Sequence, residues 1–101
     1  MKTYFGDRTI DGVAVTADGA PLAPRPDLKS FAGNDFEWSY EGAAPKQLAF
    51  ALLVDHLGDA KKAEALADRF MRDVVANFQN EWEMTSADID RVLATYSDRA
   101  A

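Results

Sequence analysis

The longest unbroken apolar run in the chain is Leu48-Ala49-Phe50-Ala51-Leu52-Leu53-Val54. A run of this length spans about two helical turns, so as a helix it is apolar on every face. Pro45 suits the first turn, where its missing N–H has no partner to lose. Gly58 suits the left-handed position just past the end. The pattern predicts a helix over about 45–57. Because no face of it is polar, the rest of the chain must enclose it.

The N-terminal third alternates as β structure does. Residues 2–5 predict a short strand, with Gly6-Asp7-Arg8 as a turn. Val13-Ala14-Val15-Thr16 predicts a second strand after the Asp11-Gly12 turn signal, and Asp18-Gly19 predicts a tight reversal toward Leu22. Pro21, Pro24 and Pro26 make the following stretch stiff and extended, a connector rather than a paired central strand. In Phe36-Glu37-Trp38-Ser39-Tyr40-Glu41 aromatic and polar residues alternate, which predicts a half-buried strand with Phe36, Trp38 and Tyr40 on the inner face.

Two further helices are punctuated by caps. Asp59 predicts an N-cap for a helix over 60–78, with an apolar stripe of Ala63, Leu66, Ala67, Phe70, Val74 and Phe78. On its polar face Asp68 and Arg72 stand four residues apart in the favourable order. Thr85-Ser86-Ala87-Asp88 reads as a capping box, with Met84 placed to staple against Ile89. The third helix is predicted over about 86–97, with Ile89, Val92, Leu93 and Tyr96 inward and residues 97–101 fraying. These elements make an α+β fold: a small N-terminal antiparallel sheet packed on three helices, with the buried helix at the centre.

At 101 residues the chain suits one domain, 1–101, with one core. Its composition, 48% hydrophobic and 28% charged, is that of an ordinary globular protein rather than a disordered one. Cysteine is absent, which excludes disulfides and thiolate metal sites and suits a reducing cytoplasm. Met1-Lys2-Thr3 leads straight into Tyr4-Phe5 without the apolar core of a signal peptide, and no apolar run approaches the length of a membrane span. The formal net charge of −6 disfavours direct binding to nucleic acid and to anionic membranes.

Candidate chemistry is sparse. His56 is the single histidine and stands beside Asp55, which allows a general base on paper. No Ser or Cys nucleophile motif accompanies it, and the plainer reading is a helix-end residue that suits the C-terminal dipole. No catalytic residue, metal site or cofactor is therefore assigned, and the scattered glycines form no phosphate-binding pattern. Glu81-Trp82-Glu83, with Asp88 and Asp90 close by, offers an aromatic among acids that could grip a basic surface. Asp35, Glu37 and Glu41 offer a second acidic strip. Such an array could imitate phosphates and occupy a nucleic-acid channel. The plainer alternative is that Trp82 plugs the core between helices while its neighbours face water.

Several stretches together carry a resemblance. They are Tyr4-Phe5-Gly6, the Asp11-Gly12 turn, Phe36-Glu37-Trp38-Ser39-Tyr40-Glu41-Gly42, Pro45-Lys46-Gln47-Leu48-Ala49-Phe50-Ala51-Leu52-Leu53, and Trp82 ahead of Thr85 and Ile89. The chain resembles domain-of-unknown-function family 6166 from Tyr4 to about Leu93. The resemblance implies no activity and no catalytic residues. It implies the setting of a small accessory protein of bacteria, their phages and mobile elements. The expected function is thus a non-catalytic interaction protein, in its most concrete form a phage or mobile-element inhibitor. Like an anti-CRISPR protein, it would dock on the basic surface of a host protein or nucleoprotein complex. The alternative is a regulatory or accessory module of unknown ligand, as a homodimer.

Overall fold

The structure, a computed structural model, describes residues 1–100, with side chains described through Tyr96. Strands β1 (Thr3–Thr9) and β2 (Gly12–Ala17) form a hairpin, and β2 reverses into the short β3 (Ala20–Pro21). An irregular connector over 22–42 leads to α1 (Ala43–Leu57), then α2 (Ala60–Asp73) and a 3-10 turn, Val75–Asn77. Strand β4 (Glu81–Thr85) runs straight into α3 (Ser86–Ala100). The sheet is antiparallel in the order β3-β2-β1-β4, so the latest strand in the chain lies beside the first. The fold is α+β, and a strand from the C-terminal third completes the N-terminal sheet.

Helix α1 is enclosed as its pattern predicts. Residues Leu48 through Leu53 are at most 1% exposed. Gly58 takes the left-handed conformation, and its N–H bonds back to the Val54 carbonyl. One polar side chain is buried with them. Gln47 is fully enclosed, and all four hydrogen bonds of its amide run to the connector. Its Oε1 accepts from the N–H groups of Phe31 (2.6 Å) and Ala32 (3.1 Å), and its Nε2 donates to the carbonyls of Pro24 (2.8 Å) and Lys29 (3.0 Å). Phe31 also packs edge-on against Phe50 of α1, with ring centroids 5.9 Å apart. A connector with no strand or helix of its own is thereby tied to the central helix.

The caps form as read. Asp59 accepts from the Lys62 N–H, and Thr85 and Asp88 exchange bonds between backbone and side chain at the start of α3. Met84 and Ile89 are both buried in one core. Asp18 and Gly19 both have positive φ, the two-residue hairpin turn that matches strand twist.

Three expectations are corrected. The strand over 36–41 does not form. Ser39 sits at φ 79, in the left-handed region, which breaks the extended chain and separates buried Trp38 from Tyr40, half exposed at 50%. Both edges of β1 are already occupied, by β2 and by β4, and the segment that alternates to fill the sheet is Glu81-Trp82-Glu83-Met84-Thr85. Residues Gly6-Asp7-Arg8 do not turn but continue β1, and the reversal comes at residues 10–11. The helix expected over 60–78 ends at Asp73. The β-branched pair Val74-Val75 weakens helix propensity there. The Asn77 side chain donates to the carbonyls of Arg72 and Asp73, closing the terminus. The expected fraying over 97–101 falls on residues whose side chains, and at 101 whose backbone, lie outside the described part.

The core face of the sheet carries Tyr4, Gly6 and Arg8 from β1, opposed by Trp82 and Met84 of β4. Gly6 is required by contact: a Cβ there would meet the Trp82 indole at 2.2 Å. Trp82 stacks on Phe78 (centroids 4.2 Å) and meets Trp38 edge-on (5.8 Å), and the Arg8 guanidinium covers Trp38 at 4.9 Å.

Two outcomes test this packing. Gln47→Leu should orphan two backbone N–H groups and two carbonyls. Each buried orphan costs about 1–3 kcal/mol, and each kcal/mol lowers Tm by roughly 4–8 °C at this size. A thermal melt within a degree or two of wild type would rule out the anchoring role. Gly6→Ala should dislodge Trp82, an overpacking cost of about 1–3 kcal/mol. The check is a lower Tm together with red-shifted tryptophan fluorescence.

Candidate functional site

Alternation along β1 turns Thr3, Phe5, Asp7 and Thr9 away from the core. The register sets Phe5 opposite Glu83 and Asp7 opposite Glu81. Phe5 is 41% exposed, an aromatic ring left in water at the middle of the sheet. Phe5, Glu81, Trp82 and Glu83 line a shallow depression of about 270 Å³. Among the described residues, none of Asp7, Glu81 and Glu83 forms a salt bridge. Like charges directly opposite on neighbouring strands destabilise a sheet. The outer face therefore holds two facing carboxylates, a third nearby, and a ring, with no salt-bridge partner for the carboxylates among the described residues.

Three of the other acidic positions, Glu37, Asp88 and Asp90, have internal work. Glu37 accepts both Nε and Nη2 of Arg8, the closer at 2.7 Å, and also the Trp38 N–H. Asp88 accepts the Thr85 N–H at 2.9 Å, which holds its carboxyl below the ordinary aspartate range, and it pairs with Arg91. Asp90 binds His56 Nε2 at 2.6 Å and so ties α3 to the end of α1. Asp35 and Glu41 are exposed on the connector. The fold thus joins Glu81 and Glu83 on one face and adds Asp7 to them. Reading Gly6 as a turn residue hid Asp7, and extending the odd-numbered alternation of β1 through it would have found it.

The adjacent Asp55 and His56 side chains hydrogen-bond to different partners. Neighbouring helical residues point about 100° apart. His56 turns to Asp90, while Asp55 Oδ2 accepts from Tyr4 Oη (2.7 Å) and Lys2 Nζ (2.9 Å). Burial pushes the Asp55 carboxyl up, but the bonds from Tyr4 and Lys2 and the lysine charge outweigh it, so its pKa lies below the ordinary value. Burial raises the Tyr4 hydroxyl, and the hydrogen bond and charge of Asp55 add to that rise.

A cleft of about 730 Å³ lies at the end of the hairpin among Arg8, Ser39, Asn77, Gln79, Asn80 and Glu81. Most of its polar groups are engaged within the fold. Arg8 bonds Glu37, Asn80 and the Trp38 carbonyl, Ser39 Oγ donates to the Phe78 carbonyl, and Asn77 caps α2. The indole N–H groups of Trp38 and Trp82 are buried without a partner. Among the described residues no three His, Asp or Glu side chains gather as a metal site needs, and no helix is long and apolar enough to cross a membrane.

A family model of unknown function, DUF6166, matches residues 4–95. The chain belongs to that family. The matched span takes in all four strands, α1, α2 and most of α3. No curated protein and no solved structure matches the chain.

The Asp55 cluster sets a pH dependence. The folded pKa of Asp55 lies below its unfolded value, so its contribution is present above about pH 4 and is lost as pH falls through the folded value. The folded pKa of Tyr4 lies above its unfolded value. Its contribution is complete below about pH 10 and is lost as pH rises beyond it. Stability measured against pH should fall at both ends, and Tyr4→Phe should flatten the alkaline limb. An alkaline limb unchanged in that variant would assign the loss to another group.

Proposed function

We propose that this member of DUF6166 is a non-catalytic interaction protein that binds a basic protein surface through the outer face of its sheet. The observation that carries the proposal is the facing pair Asp7 and Glu81 beside Glu83 and exposed Phe5, carboxylates without a salt-bridge partner among the described residues. A partner's Lys or Arg placed among them relieves their mutual repulsion, and an aliphatic stem or guanidinium plane can lie on the Phe5 ring. The separation of Asp55 from His56 supports the non-catalytic part of the reading. The most concrete form is an inhibitor of the anti-CRISPR kind, carried by a phage or mobile element. It would work in the cytoplasm, where its carboxylates take the place of phosphates on a host nucleic-acid-handling complex. The net charge of −6 supports that form.

Association driven by exposed charge is screened over a Debye length of about 8 Å at physiological salt. Its on-rate should fall as salt rises, more than its off-rate grows. The test is capture on the immobilised full chain, compared with Glu81→Lys/Glu83→Lys. A basic partner retained by the wild type at low salt and lost by the variant, at equal Tm, is the expected result. A partner held equally by both, at any salt, would sink the proposal.

A further inference from the structure

We propose that the free edge of β4 is a strand-docking site, which takes an extended segment of a basic protein into the sheet. This rests on the reading that the acidic face binds a basic partner, and it specifies how that partner is held. The hydrogen-bond phase of the sheet shows which groups are available. The Arg8 N–H donates to the Asn80 carbonyl at 3.1 Å, and the Ser86 N–H donates to the Lys2 carbonyl at 2.8 Å. Bonded and non-bonded positions alternate along an antiparallel pair. Counting inward from both ends, Tyr4–Met84 and Gly6–Trp82 are the bonded pairs, and Phe5–Glu83 and Asp7–Glu81 are the non-bonded ones. The N–H and C=O groups of Glu81 and Glu83 therefore point away from β1. Strand β4 is last in the sheet order, so among the described residues no further strand pairs with these groups. That edge has a defined stop, because the Thr85 N–H is already taken by Asp88 at 2.9 Å.

Charge selects the occupant. A second copy pairing β4 with β4 would set Glu81 and Glu83 against the same glutamates, and like charges directly opposite are unfavourable. A strand carrying Lys or Arg at alternate positions reverses that sign. Its basic side chains fall on the outer face, beside Glu81 and Glu83, with Phe5 and the 270 Å³ depression next to them. Main-chain bonds then supply affinity, and the alternate side chains supply selectivity.

The probe is a labelled hexapeptide alternating lysine and valine, added to the full chain. It is compared with the same peptide N-methylated at alternate amides and with a glutamate–valine control. Binding of the basic peptide alone, slowed exchange of the Glu81 and Glu83 amides, and a loss of about tenfold or more in Kd on methylation are expected. Glu83→Gln and Glu83→Pro both remove the charge, but only proline removes the outward N–H, which no bond to β1 uses. Their melts should agree, and the proline variant should bind the peptide several-fold more weakly. If Glu83→Pro fails to fold, the methylated peptide still decides. Equal, salt-sensitive binding of methylated and unmethylated peptides overturns strand addition while leaving the acidic-face reading intact. Absence of any binding overturns strand addition, and a captured partner indifferent to Glu81→Lys/Glu83→Lys overturns both. Slowed Glu81 and Glu83 exchange in the free protein, with a dimer in sedimentation, would make a second copy the occupant and overturn the proposal.

Discussion

One buried amide organises much of this molecule. Helix α1 is apolar all round and would be indifferent to what covers it, because hydrophobic contact has no direction. Gln47 supplies the direction. Its four bonds fix the backbone at Pro24, Lys29, Phe31 and Ala32, spread over a connector that has no strand or helix of its own. A fully satisfied buried polar group of this kind adds a requirement of unique geometry that apolar packing alone does not impose. With the connector seated, Trp38 enters the core and Glu37 comes within reach of Arg8.

From there the constraint passes into the sheet. Arg8 belongs to β1, and its guanidinium holds Glu37, Asn80 and the Trp38 carbonyl together. Asn80 directly precedes β4, so the same side chain helps align the strand that arrives last in sequence. The Trp82 indole closes over Gly6, in a space that exists only because Gly6 has no side chain. The inner face of the sheet is therefore tightly specified, through one glycine, two indoles and an arginine. The outer face is more exposed, with Phe5 41% in water.

The legible parts of the chain were those decided locally. The apolar run of α1 with its closing Gly58, the Asp59 cap, the Thr85–Asp88 box and the Asp18-Gly19 turn each depend on neighbours within a few residues. The pairing of β1 with β4 was not legible. Residues 36–41 and 81–85 alternate equally well, and what separates them is non-local: a single free edge of β1 and a left-handed Ser39. Gln47 was invisible for a similar reason. A glutamine in a helix reads as a surface residue unless its partners are known, and they lie 15 to 23 positions away. For the candidate site, Glu81 and Glu83 were legible as an acidic pair around a tryptophan. Their register with Asp7 and Phe5 required the strand that the pattern had cut short at Gly6.

An open sheet edge is ordinarily a hazard, since it templates pairing with any other edge, its own copy included. The glutamates of β4 bear on that hazard and on partner choice at once. Against an identical edge they repel. Against a basic strand they attract, and in the proposed docking the same unpaired amides that would drive aggregation serve recognition. Arginine or lysine at these positions would guard the edge equally well, so edge protection alone does not explain the acids. Facing Asp7 against Glu81 within one sheet costs stability without helping to protect the edge, because Asp7 lies on the inner strand β1. A carboxylate there makes physical sense when a cation arrives from outside, which is why the pair, more than the acidity of the chain as a whole, bears the weight of the functional reading.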